Sequence, residues 1–230
     1  MIPDVTPSYI DRLEVSLGQE QALLLPERAI WLPHHRSLLI ADLHIGKGMH
    51  FRKAGIPIPG GVVESDLLRL DRLIKQWHPA EVIFLGDLFH SQYNSEWDAF
   101  GLQISRIRTV RFSLVRGNHD ILEQSHYDQF GIRVHPESMS LGGLILSHDQ
   151  LAKPPESAYN LYGHIHPGFR LRGRGRQAVT LPCFHLGPRC GILPAFGRFT
   201  GIKAMTTRPG DRVIVLVNDK LLPVPAGQHA

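Results

Sequence analysis

The chain of 230 residues is long enough to bury a substantial core, and no repeat or low-complexity tract divides it, so we predict one domain spanning residues 1–230. Its 43% hydrophobic and 20% charged residues are typical of a globular protein, and no apolar run approaches the roughly 18 residues of a membrane-spanning helix. The net charge of +4 permits an anionic partner without requiring one.

The first half of the chain is predicted to begin with short strands and then to alternate between strands and helices. The segments LEVSL, ALLL and AIWL predict three strands within the first 35 residues. Apolar runs predict later strands at 38–40, 82–85 and 112–115. Helical spacing predicts a helix near 62–77, with Leu67, Leu70, Ile74 and Trp77 on its buried face, and a second one marked by Trp97, Phe100, Ile104 and Ile107.

The second half is predicted to be mostly strands. Residues 137–147 read as a hairpin that turns at Gly142 and Gly143. Further strands are predicted at 159–162, 169–172, 178–186, 192–196 and 213–217. Two sheets packed face to face, with helices outside, would bury both sets of strands, so we predict an α/β fold built as a two-sheet sandwich.

A polar cluster directly follows each of five predicted strands. The clusters are ADLH at 41–44, GD at 86–87, GNHD at 117–120, SH at 147–148 and GHIH at 163–166. Ligands of α/β sheets bind beyond the carboxyl ends of the strands, so these clusters are expected to meet on one rim. The glycines before Asp87, Asn118 and His164 suit sharp turns or a close approach of the backbone.

The clusters contain carboxylate, imidazole and amide donors that suit metal binding: Asp42, His44, Asp87, Asn118, His148, His164 and His166. This mixture suits Mn, Fe or Zn better than Mg or Ca, which prefer oxygen ligands. Seven donors exceed what one such ion usually takes, but they fit two ions that share a carboxylate. Within Asp42-x-His44 and His164-x-His166 we predict an extended backbone, in which alternate residues point to the same side.

The ordered set D-x-H, GD, GNH, H and GH-x-H resembles the calcineurin-like metallophosphoesterase superfamily, over about residues 38–167. The resemblance implies an αββα sandwich that binds two divalent metal ions. We expect both to be Mn, with Fe or Zn as alternatives. The motifs ADLHIGK, GDLFHS, GNHD, GHIHP, LPCF and LPAFGRFTG are similar, through about residue 201, to those of ligase-associated endonucleases of the DNA damage response. This closer match implies a nucleic-acid substrate, and DNA-repair partners such as a ligase or a helicase.

The resemblance also implies a role for each matching residue. It divides the donors between the two metals, with Asp42, His44 and His166 on one, Asn118, His148 and His164 on the other, and Asp87 shared by both. His119 would be the catalytic histidine that contacts the phosphate, either stabilising charge or protonating the leaving oxygen. Asp120 would either orient His119 or cap a helix that starts at Ile121.

Three functions remain open on the sequence alone. They are a nuclease or other phosphodiesterase acting on nucleic acid, a small-molecule phosphodiesterase or phosphatase, and a non-catalytic scaffold of the same fold. Scaffolds usually lose metal ligands, whereas every ligand position is filled here.

His90 is a further candidate for the substrate-binding site. It follows Asp87 closely enough in the chain to reach a substrate.

A row of arginines bears on the choice between nucleic acid and a small molecule. Arg170, Arg172, Arg174 and Arg176 alternate with smaller or apolar residues directly after GHIHP, so an extended strand or hairpin would place them on one side. They would then contact a nucleic-acid backbone, or else form a solvated hairpin tip. Lys47 and Arg52, in the loop after Asp42-x-His44, would add to such a surface.

The two cysteines and the first residues carry no special signal. Cys183 and Cys190 have the spacing of neither a zinc site nor a redox pair, which favours reduced thiols. The first residues lack the basic region and apolar stretch of a secretory signal. A cytoplasmic location is therefore the default expectation.

Overall fold

The computed structural model describes residues 9–47, 62–90, 92–173, 177–198 and 200–225. One sheet contains seven strands that pair in chain order: β1 (Leu13–Leu17), β2 (Glu20–Leu25), β3 (Ala29–Leu32), β4 (Ser37–Ile40), β5 (Glu81–Leu85), β6 (Arg111–Val115) and β7 (Ile132–His135). β1 to β4 are antiparallel, as short turns require, and β4 to β7 are parallel.

The parallel strands are connected through three helices. They are α1 (Val62–Trp77) before β5, α2 (Ser95–Ser105) before β6 and α3 (Gln124–Asp128) before β7. At the start of α2 the side chain of Asn94 accepts a hydrogen bond from the backbone N–H of Glu96, at 2.9 Å. The prediction that α2 reaches Ile107 was wrong, because the N–H of Ile107 bonds to the carbonyl of Ile104 and tightens the chain there. No helix in these described segments is long and apolar enough to cross a bilayer.

The second sheet contains nine strands: β8 (Ser138–Leu141), β9 (Leu144–Ser147), β10 (Tyr159–Tyr162), β11 (Pro167–Arg172), β12 (Ala178–Leu186), β13 (Cys190–Ile192), β14 (Lys203–Ala204), β15 (Arg212–Val217) and β16 (Lys220–Pro223). Their order is β14-β11-β12-β13-β10-β9-β8, with β15 paired to β12 and β16 to β15. The predicted hairpin is confirmed as β8 and β9. The strand predicted at 192–196 was wrong, because β13 ends at Ile192 and Ala195 makes a single bridge with Ala41.

The central strands β4, β5 and β6 of the first sheet are almost completely buried on both faces, which explains why they are mostly apolar. One face meets the second sheet, in a core that includes Leu39, Ile83, Leu146, Leu161 and Phe184. The opposite face meets the helices, in a core that includes Leu38, Phe84, Leu70, Trp97 and Tyr127. The predicted α/β sandwich of two sheets is therefore confirmed.

The topology also places the polar clusters. β4, β5 and β6 are parallel neighbours, and so are β9 and β10. Their carboxyl ends therefore lie at common edges of the two packed sheets, where the chain continues into residues 41–44, 86–87, 117–120, 147–148 and 163–166.

Candidate metal centre

Backbone hydrogen bonds tie the polar loops to one another. The N–H of Asp42 donates to the carbonyl of Gly86 at 3.2 Å, and that of His44 donates to the carbonyl of Asp87 at 2.9 Å. The N–H of His164 donates to the Asp42 carboxylate, at 2.9 Å from Oδ2. Loops that follow different strands are therefore held as one unit.

Five of the candidate ligands lie in the left-handed region of backbone conformation. Their φ angles are 54°, 51°, 49°, 62° and 51° at Asp42, His44, Asp87, His164 and His166 respectively. The prediction of extended D-x-H and H-x-H segments was wrong, because the chain turns at each ligand. Such conformations cost roughly 1–3 kcal/mol each and persist where surrounding contacts impose them, often at functional sites. The links between the loops supply those contacts here.

The first donor group consists of Asp42, His44 and His166. One ligand atom from each residue lies within 4.8 Å of the others. Nε2 of His166 is 3.3 Å from Nε2 of His44 and 3.5 Å from Oδ1 of Asp42. The other ring nitrogen of His166 is 3.2 Å from the carbonyl oxygen of Gly201, which orients the ring.

The second donor group consists of Asp87, His148 and His164, again within 4.8 Å, together with Asn118. Nε2 of His148 lies 2.9 Å from Oδ1 of Asn118 and 3.0 Å from Nδ1 of His164. Nδ1 of His148 lies 3.1 Å from the carbonyl oxygen of Leu85, which accepts its proton and leaves the Nε2 lone pair facing the group. His164 and His166 thus belong to different groups, although one residue separates them.

Asp87 lies between the two donor groups. Its Oδ1 is 3.4 Å from Nε2 of His148, and its Oδ2 is 3.6 Å from Nε2 of His44. The backbone N–H of His119 donates to Oδ1 at 3.0 Å and holds the carboxylate in place. The two oxygens of one carboxylate therefore face different donor groups.

The electrostatics of both groups suit cations. Burial raises the pKa of Asp42, and His166 acts in the opposite direction. Burial and, after it, the charge of Lys47 lower the pKa of His44 to about 2, so its imidazole is neutral and offers a lone pair. Burial likewise lowers the pKa of Lys47, against the attraction of Asp87 and Asp42. Divalent ions would compensate these two buried carboxylates, so the donors present fit a pair of metal ions.

Two glycines are required by close approach of the backbone to the carboxylates. A Cβ atom at Gly117 would lie 2.4 Å from Oδ1 of Asp87, and one at Gly163 would lie 2.5 Å from Oδ2 of Asp42. Both distances are shorter than any van der Waals contact allows. The expected close approach before Asn118 and His164 is therefore confirmed.

His119, His90 and Asp120 surround the donor groups. Nε2 of His119 is 4.0 Å from Oδ2 of Asp87, and 42% of its side chain is exposed. The side chain of His90 contacts both His44 and His119. Asp120 accepts hydrogen bonds from the N–H groups of Phe89 and Gly117, at 3.0 and 2.8 Å, and so joins two loops. It does not cap a helix at Ile121, since α3 starts at Gln124.

A set of hydrogen bonds that supports the backbone at Asp42 was not predicted from the sequence. The N–H groups of Phe196 and Gly197 donate to the carbonyls of Ala41 and Asp42, at 2.8 and 3.1 Å. Arg69, which is paired with Asp66 at 2.9 Å, donates to the carbonyl of Phe196. The sequence did contain a signal for these contacts. Asp66 and Arg69 lie on the inner side of α1, and charged residues are rarely buried unless they are paired.

The structure places part of the predicted arginine row. Arg170 and Arg172 are exposed on β11, which starts directly after His166. Leu171 between them packs on the opposite face, against the cluster containing Phe169 and Cys183, so the two arginines share one side. Arg174, Arg176 and Arg52 lie outside the described residues.

The chain is similar to one known protein family and to several solved structures. The sequence model of the calcineurin-like phosphoesterase family matches residues 35–188. Among solved structures, the nuclease MPE of Pseudomonas putida is 30% identical, with a TM-score of 0.78 over 93% of this chain and 100% of that chain. The phosphoesterase YfcE of E. coli is 16% identical, with a TM-score of 0.43 over 80% of this chain and 90% of that one. No curated protein sequence gives a significant match.

Proposed function

Because the chain belongs to the calcineurin-like phosphoesterase family, we propose that it is a dinuclear phosphodiesterase that cleaves nucleic acid. Family membership makes it a metal-dependent phosphoesterase; the two-ion site and the substrate are the proposal. The observation that carries the two-ion site is Asp87, whose oxygens lie 3.4 Å and 3.6 Å from histidines of different donor groups.

The proposed ligands follow the donor groups. Asp42, His44 and His166 would hold one ion, Asn118, His148 and His164 the other, and Asp87 would contact both. Nitrogen and oxygen donors in this proportion favour Mn, with Fe or Zn as alternatives. When bound, the two ions supply positive charge that neutralises phosphate oxygens and acidifies a water molecule.

The protein's own residues would orient and protonate the substrate. His119 is half-buried beside Asp87 and keeps 42% of its side chain exposed, so its imidazole is accessible to a phosphate on the open side of the site. From there it would hydrogen-bond a phosphoryl oxygen or donate a proton to the leaving oxygen. The buried Asp42 and His44 would keep their fixed positions behind the reacting phosphate.

Two observations favour nucleic acid as the substrate. The nuclease MPE of Pseudomonas putida aligns with 93% of this chain at 30% identity. Arg170 and Arg172 stand exposed on the strand that leaves the site at His166, where they would pair with phosphates flanking the scissile bond. Association with a ligase or a helicase, a cytoplasmic location and a single domain over residues 1–230 remain predictions from the sequence.

A substrate panel with Mn²⁺ tests this proposal. The panel contains linear and hairpin DNA, bis-p-nitrophenyl phosphate, p-nitrophenyl phosphate and cyclic nucleotides. We expect cleavage of DNA and of the chromogenic diester, little hydrolysis of the monoester, and loss of both activities when metal is removed by chelation. Hydrolysis of the monoester or cyclic nucleotides alone would assign a small-molecule substrate instead.

The matched variants are Asp87→Ala and His148→Ala, analysed for metal content. Asp87→Ala should lower occupancy of both sites, because Asp87 faces both groups, whereas His148→Ala should chiefly empty the second. Two ions retained in Asp87→Ala would contradict the shared-ligand assignment.

A further inference from the structure

His90 lies between a proposed metal ligand and the proposed catalytic histidine. Its backbone N–H donates to the carbonyl of Ile45 at 2.8 Å, in the stretch where Ile45 and Phe89 pair as an isolated β-bridge. Its Nδ1 lies 3.0 Å from Nδ1 of His44. Its ring centroid lies 3.9 Å from that of His119, with 35° between the ring planes.

The contact with His44 constrains where the protons lie. Nε2 of His44 faces His166 at 3.3 Å and Asp87 at 3.6 Å, so this is the nitrogen available to a metal. A neutral imidazole with its lone pair at Nε2 carries its proton at Nδ1. Nδ1 of His44 must then donate, and the nitrogen 3.0 Å away on His90 must accept.

The second donor group contains the same arrangement with a different acceptor. His148 directs Nε2 into its group and Nδ1 to the carbonyl oxygen of Leu85, at 3.1 Å. Metal-binding histidines are generally oriented by such an acceptor on the second ring nitrogen. His166 in the first group likewise has the carbonyl oxygen of Gly201 at 3.2 Å from its second ring nitrogen. For His44 the acceptor is instead the imidazole of His90, which also packs against His119.

We propose that His90 is a positioning residue that acts through His44 and His119 and does not bind substrate. As a hydrogen-bond acceptor it selects the His44 tautomer that presents Nε2 to the metal. As an aromatic surface it fixes the ring of His119, which is otherwise partly exposed. The inference rests on the proposed two-ion site and replaces the expectation that His90 reaches the substrate.

Two substitutions separate the role of His90 as a hydrogen-bond acceptor from its role as an aromatic contact. In His90→Asn, Oδ1 lies at about the same distance along the side chain as Nδ1 of histidine, so the acceptor is kept and the ring is lost. In His90→Phe the ring is kept and the acceptor is lost. Mn²⁺ binding to metal-free protein, measured by calorimetry without substrate, reports on the acceptor. Turnover of bis-p-nitrophenyl phosphate at saturating Mn²⁺ reports on the ring.

We expect His90→Phe to weaken binding of one of the two ions by about 10–100-fold and to leave the other unchanged. His90→Asn should bind both ions as the wild type does, yet show a reduced kcat, because His119 has lost its neighbour. His126→Phe is the matched control, since the ring of this histidine packs at 46° against that of Tyr93, with 5.0 Å between the centroids, and makes no described bond with a donor group. Thermal unfolding of each metal-free variant identifies loss of fold.

The outcomes are distinguishable from those of the proposed function. Wild-type metal affinity in both variants, with only KM raised, would overturn the positioning role and make His90 a substrate contact. Equal weakening of metal binding in His90→Asn and His90→Phe would also overturn it. A wild-type protein that binds two ions but leaves DNA intact would refute the nucleic-acid substrate alone, and binding of fewer than two ions would refute both proposals.

Discussion

Asn118 and His119 are adjacent residues with different environments. Oδ1 of Asn118 is 2.9 Å from Nε2 of His148, within the second donor group. Nε2 of His119 is 4.0 Å from Oδ2 of Asp87, and 42% of its side chain is exposed. Since the backbone N–H of His119 already holds Asp87 at 3.0 Å, the side chain can be removed without breaking this bond.

His119→Ala should therefore retain both ions and lower the turnover of a diester with a poor leaving group by about 10²–10⁴-fold. The loss should shrink for a p-nitrophenyl ester if His119 acts as a general acid, because that leaving group needs little protonation. It should be similar for both esters if His119 stabilises charge on the phosphoryl oxygens. The rates of hydrolysis of the two esters, with metal content determined in parallel, decide between general-acid catalysis and charge stabilisation.

A His119→Ala protein that has lost metal would make the residue a ligand or a structural side chain. Wild-type rates on both esters would exclude it from catalysis.

At the scale of the element, β11 connects the metal centre to an exposed edge. It starts one residue after His166 and carries Arg170 and Arg172 on one side, because Leu171 is turned towards the opposite core. Successive residues on the same side of a strand are about 6.6 Å apart, so the two guanidinium groups can contact different phosphates.

Replacing Arg170 and Arg172 with glutamine should weaken DNA binding and flatten its dependence on salt. Each phosphate contact that is lost should reduce the slope of log K against log[salt] by about 0.7 for a single strand or about 0.9 for B-DNA. Hydrolysis of bis-p-nitrophenyl phosphate should be unchanged, because the donor groups are intact. Fluorescence anisotropy with labelled DNA at several salt concentrations measures the slope.

Arg106 and Arg108 provide the control pair. They are exposed and lie between α2 and β6, at the amino end of the strand whose carboxyl end forms the site. Replacing Arg106 and Arg108 with glutamine should leave the DNA affinity and the slope of log K against log[salt] nearly unchanged. Equal losses in the two double variants would indicate general attraction by net charge, and an unchanged slope in the β11 variant would remove these arginines from the interface.

At the scale of the whole molecule, Glu20 connects the two sheets. This residue of β2 accepts a hydrogen bond from the N–H of Gly143, at 2.8 Å, in the turn of the β8–β9 hairpin. The bond from Gly143 lowers the pKa of Glu20, with His35 and His34 acting in the same direction and burial opposing them. The ionised carboxylate is thus more stable in the folded protein than in the unfolded chain.

Glu20→Ala should lower the free energy of unfolding by about 1 kcal/mol at neutral pH. A lowered pKa contributes stability above the unfolded value of 4.5, and this contribution is lost as pH falls through the folded value. The difference in the free energy of unfolding between wild type and Glu20→Ala should therefore shrink as the pH falls from about 5 to about 3. Urea unfolding across this range measures it, with Glu14→Ala on the exposed side of β1 as control. A difference that does not change with pH would contradict the role of the charge.

Much of the fold follows from local sequence patterns. The bounds of β10 and β12 agree with the strands predicted at 159–162 and 178–186, and those of α1 agree with the helix predicted at 62–77. These elements are encoded by side-chain periodicity within a few residues, which can be read without knowing any partner. The end of α2 is different, because Ile107 keeps the apolar spacing but packs against the core from outside the helix.

The sequence by itself determined the family, the α/β sandwich and the polar clusters at the strand ends, since ordered motifs and hydrophobic periodicity are local properties. Only the tertiary structure decided how the clusters meet. The left-handed backbone at Asp42 and His44, the contacts of Phe196 and Gly197 behind Asp42, and the contact of His90 with His44 all depend on hydrogen bonds between loops. These loops are far apart in the chain, and the pairing of strands from two sheets sets their positions, which no local pattern of residues encodes.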